Sequence, residues 1–117
     1  MCPRCCMMIW NEHIETMSRD EMNQLQSDNL RSAVKRVYEF VGPYRRKMQQ
    51  IGLEPGDIKS IDDLHKLPFT TKDDLRDAYP YGMISVPMEQ VIRLHASSGT
   101  TGKQTVVAYT KNDIDLW

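Results

Sequence analysis

Seven consecutive residues concentrate most of the chemistry in this 117-residue sequence: Ser97-Ser98-Gly99-Thr100-Thr101-Gly102-Lys103, with two glycines, four hydroxyls and one lysine. Glycine lets a backbone come close to a ligand and turn its N–H groups toward it, hydroxyls donate further hydrogen bonds, and lysine adds a compact positive charge. A polyphosphate requires that combination. A Walker A loop is excluded, because it would need Gly at the position of Ser97 and Ser or Thr at the position of Gln104, followed by a helix. A plain hairpin connection usually runs to about two to five residues, so seven polar residues between strand-forming segments point to a binding role.

Other reactive side chains have simpler explanations. His95, two residues before Ser97, invites a nucleophile-and-base reading, but no G-x-S-x-G elbow frames either serine. A strand histidine suffices. Cys2, Cys5 and Cys6 are the only cysteines and all fall at the start of the chain, so they build no disulfide framework and fit a reducing compartment. Cys2-x-x-Cys5 matches half of a zinc site, yet only Cys6 and His13 stand near it, so no metal site is assigned. Asp62, Asp63, Asp73 and Asp74 sit where two short helices begin, and the helix dipole accounts for them without catalysis. Tyr38, Tyr44, Tyr79, Tyr81 and Tyr109 are scattered along the chain and give no ladder for stacking bases.

The elements around the loop can be read from periodicity and punctuation. Ser18-x-x-Glu21 is a capping box opening a helix whose apolar residues Met22, Leu25, Leu30, Ala33, Val34, Val37 and Val41 recur near helical spacing. Gly42-Pro43 interrupts it, Pro43 opens a second helix, and Gly52 closes that one. Leu53 to Gly56 reads as a turn. Ser60-x-x-Asp63 and Thr71-x-x-Asp74 cap two further short helices, and Pro80, Gly82 and Pro87 make a loop of the segment after Tyr79. From Gln90 the pattern changes: Val91 to Ala96 and Thr105 to Tyr109 are rich in strand formers and bracket the polar loop. Thr110-x-x-Asp113 has the form of another cap, but with only Ile114 to Trp117 beyond it no helix is expected there.

Composition limits the partners. Fifteen Lys plus Arg against sixteen Asp plus Glu leave a net charge of -1, which gives no field to hold nucleic acid or an anionic membrane. Hydrophobic residues at 40% and charged ones at 26% are ordinary globular usage. The longest apolar run, Met7 to Trp10, is far short of the roughly 20 residues of a membrane span, so the expected location is cytoplasmic.

Ser97 to Lys103 resembles the phosphate-binding signature of adenylate-forming enzymes, in which S/T-S/T/G-G-T-T-G is followed closely by lysine. Ile9-Trp10-Asn11, Leu67-Pro68-Phe69-Thr70-Thr71-Lys72 with Asp74-Leu75-Arg76, Tyr79-Pro80 with Gly82, and Arg93 through Lys103 are similar to the phenylacetate-coenzyme A ligase branch. The resemblance runs in order over nearly the whole chain from Met8. It implies a ligase that joins ATP and an arylacetate to give an acyl-adenylate and pyrophosphate, after which coenzyme A displaces AMP. Ser97, Ser98, Gly99, Thr100, Thr101, Gly102 and Lys103 would hold the β- and γ-phosphates of ATP, which arrives with Mg2+; phenylacetate or a similar aryl acid and coenzyme A are the other reactants.

Two departures qualify the match. Gln104 stands where the family commonly has proline. Family members are also several times longer, with the acid pocket, the nucleoside contacts and the catalytic lysine of the C-terminal domain all beyond Trp117. The resemblance therefore implies an α/β fold present as an N-terminal fragment of the large domain, inactive alone. Residues 1–7 are expected to be a disordered extension, 8–89 a mainly helical region, and 90–117 the strand, phosphate loop and strand that begin an ATP-binding domain. The alternatives are an adenylate-forming relative with another acid or acceptor, and a non-catalytic phosphate-binding or dimerisation module, for which a homodimer is the expected partner.

Overall fold

Helix boundaries follow the capping chemistry of the sequence. The computed structural model describes residues 9–98 and 102–117. A one-turn helix, α1 (Glu12–Glu15), begins where Asn11 Oδ1 accepts the Ile14 amide and Glu15 Oε1 accepts the Asn11 amide. The sequence reading starts the helices only at Ser18; a single turn is too short to carry a periodic apolar pattern. At Ser18 the predicted box is present: Ser18 Oγ accepts the Glu21 amide at 3.3 Å and Glu21 Oε2 accepts the Ser18 amide at 2.9 Å. The helix it opens is α2 (Arg19–Phe40).

Gly42 and Pro43 turn the chain into α3 (Gly42–Gln50), with Val41 serving as the cap between the two helices. At its far end Gly52 takes φ +68°, a region that favours glycine, and the amides of Gly52 and Leu53 donate to Gln49 and Met48 carbonyls. A single 3-10 turn at Pro55–Asp57 and a two-turn 3-10 helix at Ile61–Lys66 follow. The second is the short helix expected from the Ser60 cap; it winds as a 3-10 helix and ends before Pro68.

The core lies here. Val34, Met48, Leu53 and Ile58 form a buried cluster against which Leu30, Tyr38, Tyr44 and Leu67 pack, and Val41 is buried as well. The apolar stripe of α2 read from the sequence therefore faces α3 and the 3-10 segments. Ser27 interrupts that stripe with a buried hydroxyl, which donates to Asn23 O at 2.7 Å and accepts the Ile61 amide at 3.0 Å. It ties the 3-10 helix to α2 and satisfies a backbone donor that burial would otherwise leave unpaired.

A half-buried clamp fixes the next segment. Thr71 caps α4 (Lys72–Asp77), Tyr44 Oη donates to Pro68 O at 2.9 Å, and Lys47 Nζ donates to Phe69 O at 3.0 Å and Asp74 Oδ2 at 2.6 Å. After a loop and a 3-10 turn at Met88–Gln90 come β1 (Val91–Ala96) and β2 (Val106–Thr110). They form a two-stranded antiparallel sheet with Arg93 opposite Tyr109, His95 opposite Val107 and Ala96 opposite Val106. The order of helices first and strands second is as expected. Among the described residues the architecture is mostly helical, with this hairpin as its sheet.

The expectation of no helix after Thr110 is wrong: Lys111–Leu116 form α5. Asp113 Oδ2 accepts both the amide and the hydroxyl of Thr110 at 2.8 Å, and Lys111 pairs with Asp115 at 2.6 Å. Counting from Ile114 omitted the first turn, which the cap itself stabilises.

Candidate functional site

The polar loop is mounted on the hairpin. Ser97 continues from β1, Thr105 leads into β2, and the two close the base: the Ser97 amide donates to Thr105 O at 3.0 Å. In return Ser97 Oγ accepts the Thr105 amide at 3.1 Å and the Thr105 hydroxyl at 2.9 Å. Ser98, Gly102 and Lys103 are exposed. Gly99, Thr100 and Thr101, which the sequence reading also assigns to the loop, lie outside the described residues, as do Cys2, Cys5 and Cys6.

Gly102 has φ +116°, and a Cβ built on it would meet nothing within 4 Å. Its requirement for glycine is thus conformational rather than one of space, since L side chains rarely adopt such a φ. The Lys103 ammonium leaves the loop on the next residue, in solvent, where an anion can reach it. Ser98, Gly102 and Lys103 are thus the described loop residues open to solvent, with residue types able to meet an oxyanion.

The residues on the loop's face of the hairpin follow from strand alternation. His95 on β1 and Ser97 just after it share a side, as do Thr105 just before β2 and Val107 and Tyr109 on it. His95 lies 4.9 Å from the Tyr109 ring, and Tyr109 stacks on Trp117 at 5.5 Å with the planes 17° apart. Tyrosines scattered along the sequence gave no sign of this group, because it draws on a strand histidine and a tryptophan beyond β2. His95 forms an aromatic contact here, in keeping with the strand-histidine reading. Thr105 was likewise missed; strand register, which the sequence does not print, is what sets it against Ser97.

A large cleft lies elsewhere. It has a volume of about 770 Å3, between Arg36, Leu75 and Met83 on one side and Ile92, Val106 and Ala108 of the hairpin on the other, and no described loop residue lines it. Size alone is a weak guide when the chemistry stands apart from it. Of the four carboxylates singled out in the sequence, Asp63 and Asp74 serve as caps: Lys47 and the Thr71 amide and hydroxyl hold Asp74 down to about 2. Lys66, with the Lys59 and Ser60 amides, does the same for Asp63. Thr110 lowers Asp113. Among the described residues no group of three or more His, Cys, Asp or Glu side chains converges to hold a metal. None of their helices is long and apolar enough to cross a membrane.

No family model matches the chain. It is 57% identical over 104 residues to a phenylacetate-coenzyme A ligase of Escherichia coli (strain K12), and 54% identical over 104 residues to one of Pseudomonas putida. The chain is homologous to the N-terminal part of phenylacetate-coenzyme A ligases. Both alignments take in 89% of it and 24% of the relative, so it spans about a quarter of the length of the curated ligases it matches. Its fold is that of an adenylate-forming ligase: a crystal structure of 2-hydroxyisobutyryl-CoA ligase in complex with 2-HIB-AMP and CoA superposes with a TM-score of 0.79. That match, at 28% identity, covers 97% of the chain and 25% of the ligase.

Proposed function

We propose that this chain supplies the ATP-phosphate loop of a phenylacetate-coenzyme A ligase. In the proposed reaction a carboxylate oxygen of phenylacetate, or of a similar aryl acid, attacks the α-phosphorus of ATP. The bond to the β-phosphate breaks and pyrophosphate leaves. The thiol of coenzyme A then attacks the acyl carbon and AMP departs. Ser97, Ser98, Gly99, Thr100, Thr101, Gly102 and Lys103 act in the first half, holding the β- and γ-phosphates and balancing the charge that builds on pyrophosphate. Catalysis of that kind is mainly positioning and electrostatic stabilisation. Mg2+ enters with ATP, whose phosphate oxygens and attendant waters provide most of its ligands.

The observation that carries this reading is the closed hairpin base with a positive-φ glycine and a solvent-facing lysine, in a chain 57% identical to a ligase of that name. The choice of phenylacetate rests on the sequence relatives. A solved relative of the same fold is a 2-hydroxyisobutyryl-CoA ligase. Because about three quarters of the relatives' length has no counterpart in these 117 residues, we expect them to bind Mg-ATP weakly and to form no adenylate unaided. Phosphate contacts alone do not align an acid with ATP.

Titration of the chain with Mg-ATP, followed by amide NMR, tests the assignment. Shifts should concentrate at Gly102 and Lys103 and leave Ile58 in the core unchanged, and Lys103→Ala should weaken binding roughly tenfold, as expected for one charge-assisted contact. Absence of binding, or binding indifferent to Lys103→Ala, would remove the loop from the phosphate site. Phenylacetate-dependent pyrophosphate exchange by the chain alone would overturn the expected inactivity.

A further inference from the structure

We infer that Thr105, outside the glycine-rich segment, is a positioning residue that makes the Ser97 hydroxyl an obligatory hydrogen-bond donor toward the phosphate ligand. This rests on the phosphate reading of the loop. A serine hydroxyl has one proton to give and two lone pairs to accept with. At Ser97 one lone pair is taken by the Thr105 amide at 3.1 Å, and the Thr105 hydroxyl, 2.9 Å away, fills the second in the arrangement inferred here. What remains is the proton. Phosphate oxygens only accept, so an oxygen whose accepting capacity is already filled meets them in the one role left to it. Accepting two hydrogen bonds also polarises the O–H and strengthens the bond it donates.

The backbone holds the pair in place independently. Ser97 N donates to Thr105 O at 3.0 Å, so the two residues face each other across the hairpin base whether or not their side chains interact. Removing the Thr105 hydroxyl therefore leaves the Ser97 amide bond and the Thr105 amide donor intact, and frees one lone pair of Ser97. The serine can then turn its proton elsewhere, and the cost falls on ligand binding more than on folding. Thr105 acts through Ser97, so its effect must vanish when Ser97 has no hydroxyl.

A double-mutant cycle on the 117-residue chain tests this, with Mg-ATP and inorganic pyrophosphate as the titrated probes and circular dichroism confirming the fold of each variant. Thr105→Val should weaken both probes roughly three- to tenfold, the scale of one hydrogen bond, and Thr105→Ser should restore them. Ser97→Ala should weaken them by at least as much, and adding Thr105→Val to it should change nothing further. Additive losses would overturn the inference, because Thr105 would then act without Ser97. So would an unaltered affinity in Thr105→Val, or failure of Thr105→Ser to rescue. Lys103→Ala separates the underlying reading: if it has no effect while the cycle shows coupling, the pair is real but the ligand is not held as a phosphate by this loop. Should neither probe bind the parent chain, the inference fails together with that reading.

Discussion

If the loop binds phosphate as proposed, Lys103 and Gly102 divide its work between charge and conformation. The lysine can be truncated without disturbing any described contact, whereas Gly102 sits at φ +116°, where a β-branched residue is strained whatever space surrounds it. In a polypeptide that supplies the remaining length of the ligase, Lys103→Ala should slow adenylate formation roughly 10- to 1,000-fold, the range for losing one group that stabilises transition-state charge. Gly102→Val should be worse. Both should keep thioester formation from pre-made phenylacetyl-adenylate, a step without ATP phosphates, so equal loss in the two half-reactions would refute the assignment. These residues can be proposed from type and order alone, because glycine, hydroxyl and lysine declare their chemistry. Thr105 was not: its role depends on the partner across the hairpin, and a residue type says nothing about who stands opposite.

At the scale of elements, hydrogen-bonded caps recur. Ser18 with Glu21, Ser60 with Asp63, Thr71 with Asp74 and Thr110 with Asp113 each set a helix start. Such pairs are written locally, three residues apart, which is why the sequence located these four caps. At Thr110 it found the cap but not the helix, and it missed that Asp74 also takes Lys47 from α3, at 2.6 Å and a separation of 27 residues, since nothing local encodes that partner. Asp74 and Asp63 are both held at about 2 in the fold, against an ordinary 3.8. A depressed carboxylate contributes stability above its unfolded value and loses it as pH falls through the folded one. Thermal stability should therefore hold down to about pH 4 and decline between about pH 4 and pH 2. Asp74→Asn should lower stability at neutral pH and flatten part of that acid decline, while Asp73→Asn, on an exposed side chain paired with Arg76 at 3.2 Å, should do little. An acid profile of Asp74→Asn identical to that of the parent would show that the clamp contributes nothing.

The whole molecule is more open than its length requires. Its radius of gyration is 18.0 Å, against about 13 Å for a compact domain of this size. Its accessible surface is 9191 Å2, where about 6,600 Å2 would be usual. The excess has a location. Among the described residues every buried hydrophobic one lies between Val34 and Ile58, while Ile92, Leu94, Val107, Leu116 and Trp117 of the hairpin and its following helix are exposed. A two-stranded sheet with both faces wet is marginal by itself, so stability should be divided unevenly along the chain. Hydrogen exchange at neutral pH should show the amides of Val34, Val37 and Met48 as the best protected, and those of Val107 to Tyr109 exchanging at least about tenfold faster, opening without the helices. Met48→Ala, which empties a fully buried site, should cost about 3 kcal/mol. It should unfold the helical region without making exchange in the hairpin correspondingly faster, because the two share no buried residue. Uniform protection across both parts, lost together in a single sharp transition, would mean that the hairpin is stabilised by the helical core after all, through contacts with the half-buried Met83 to Val86 segment that borders the large cleft.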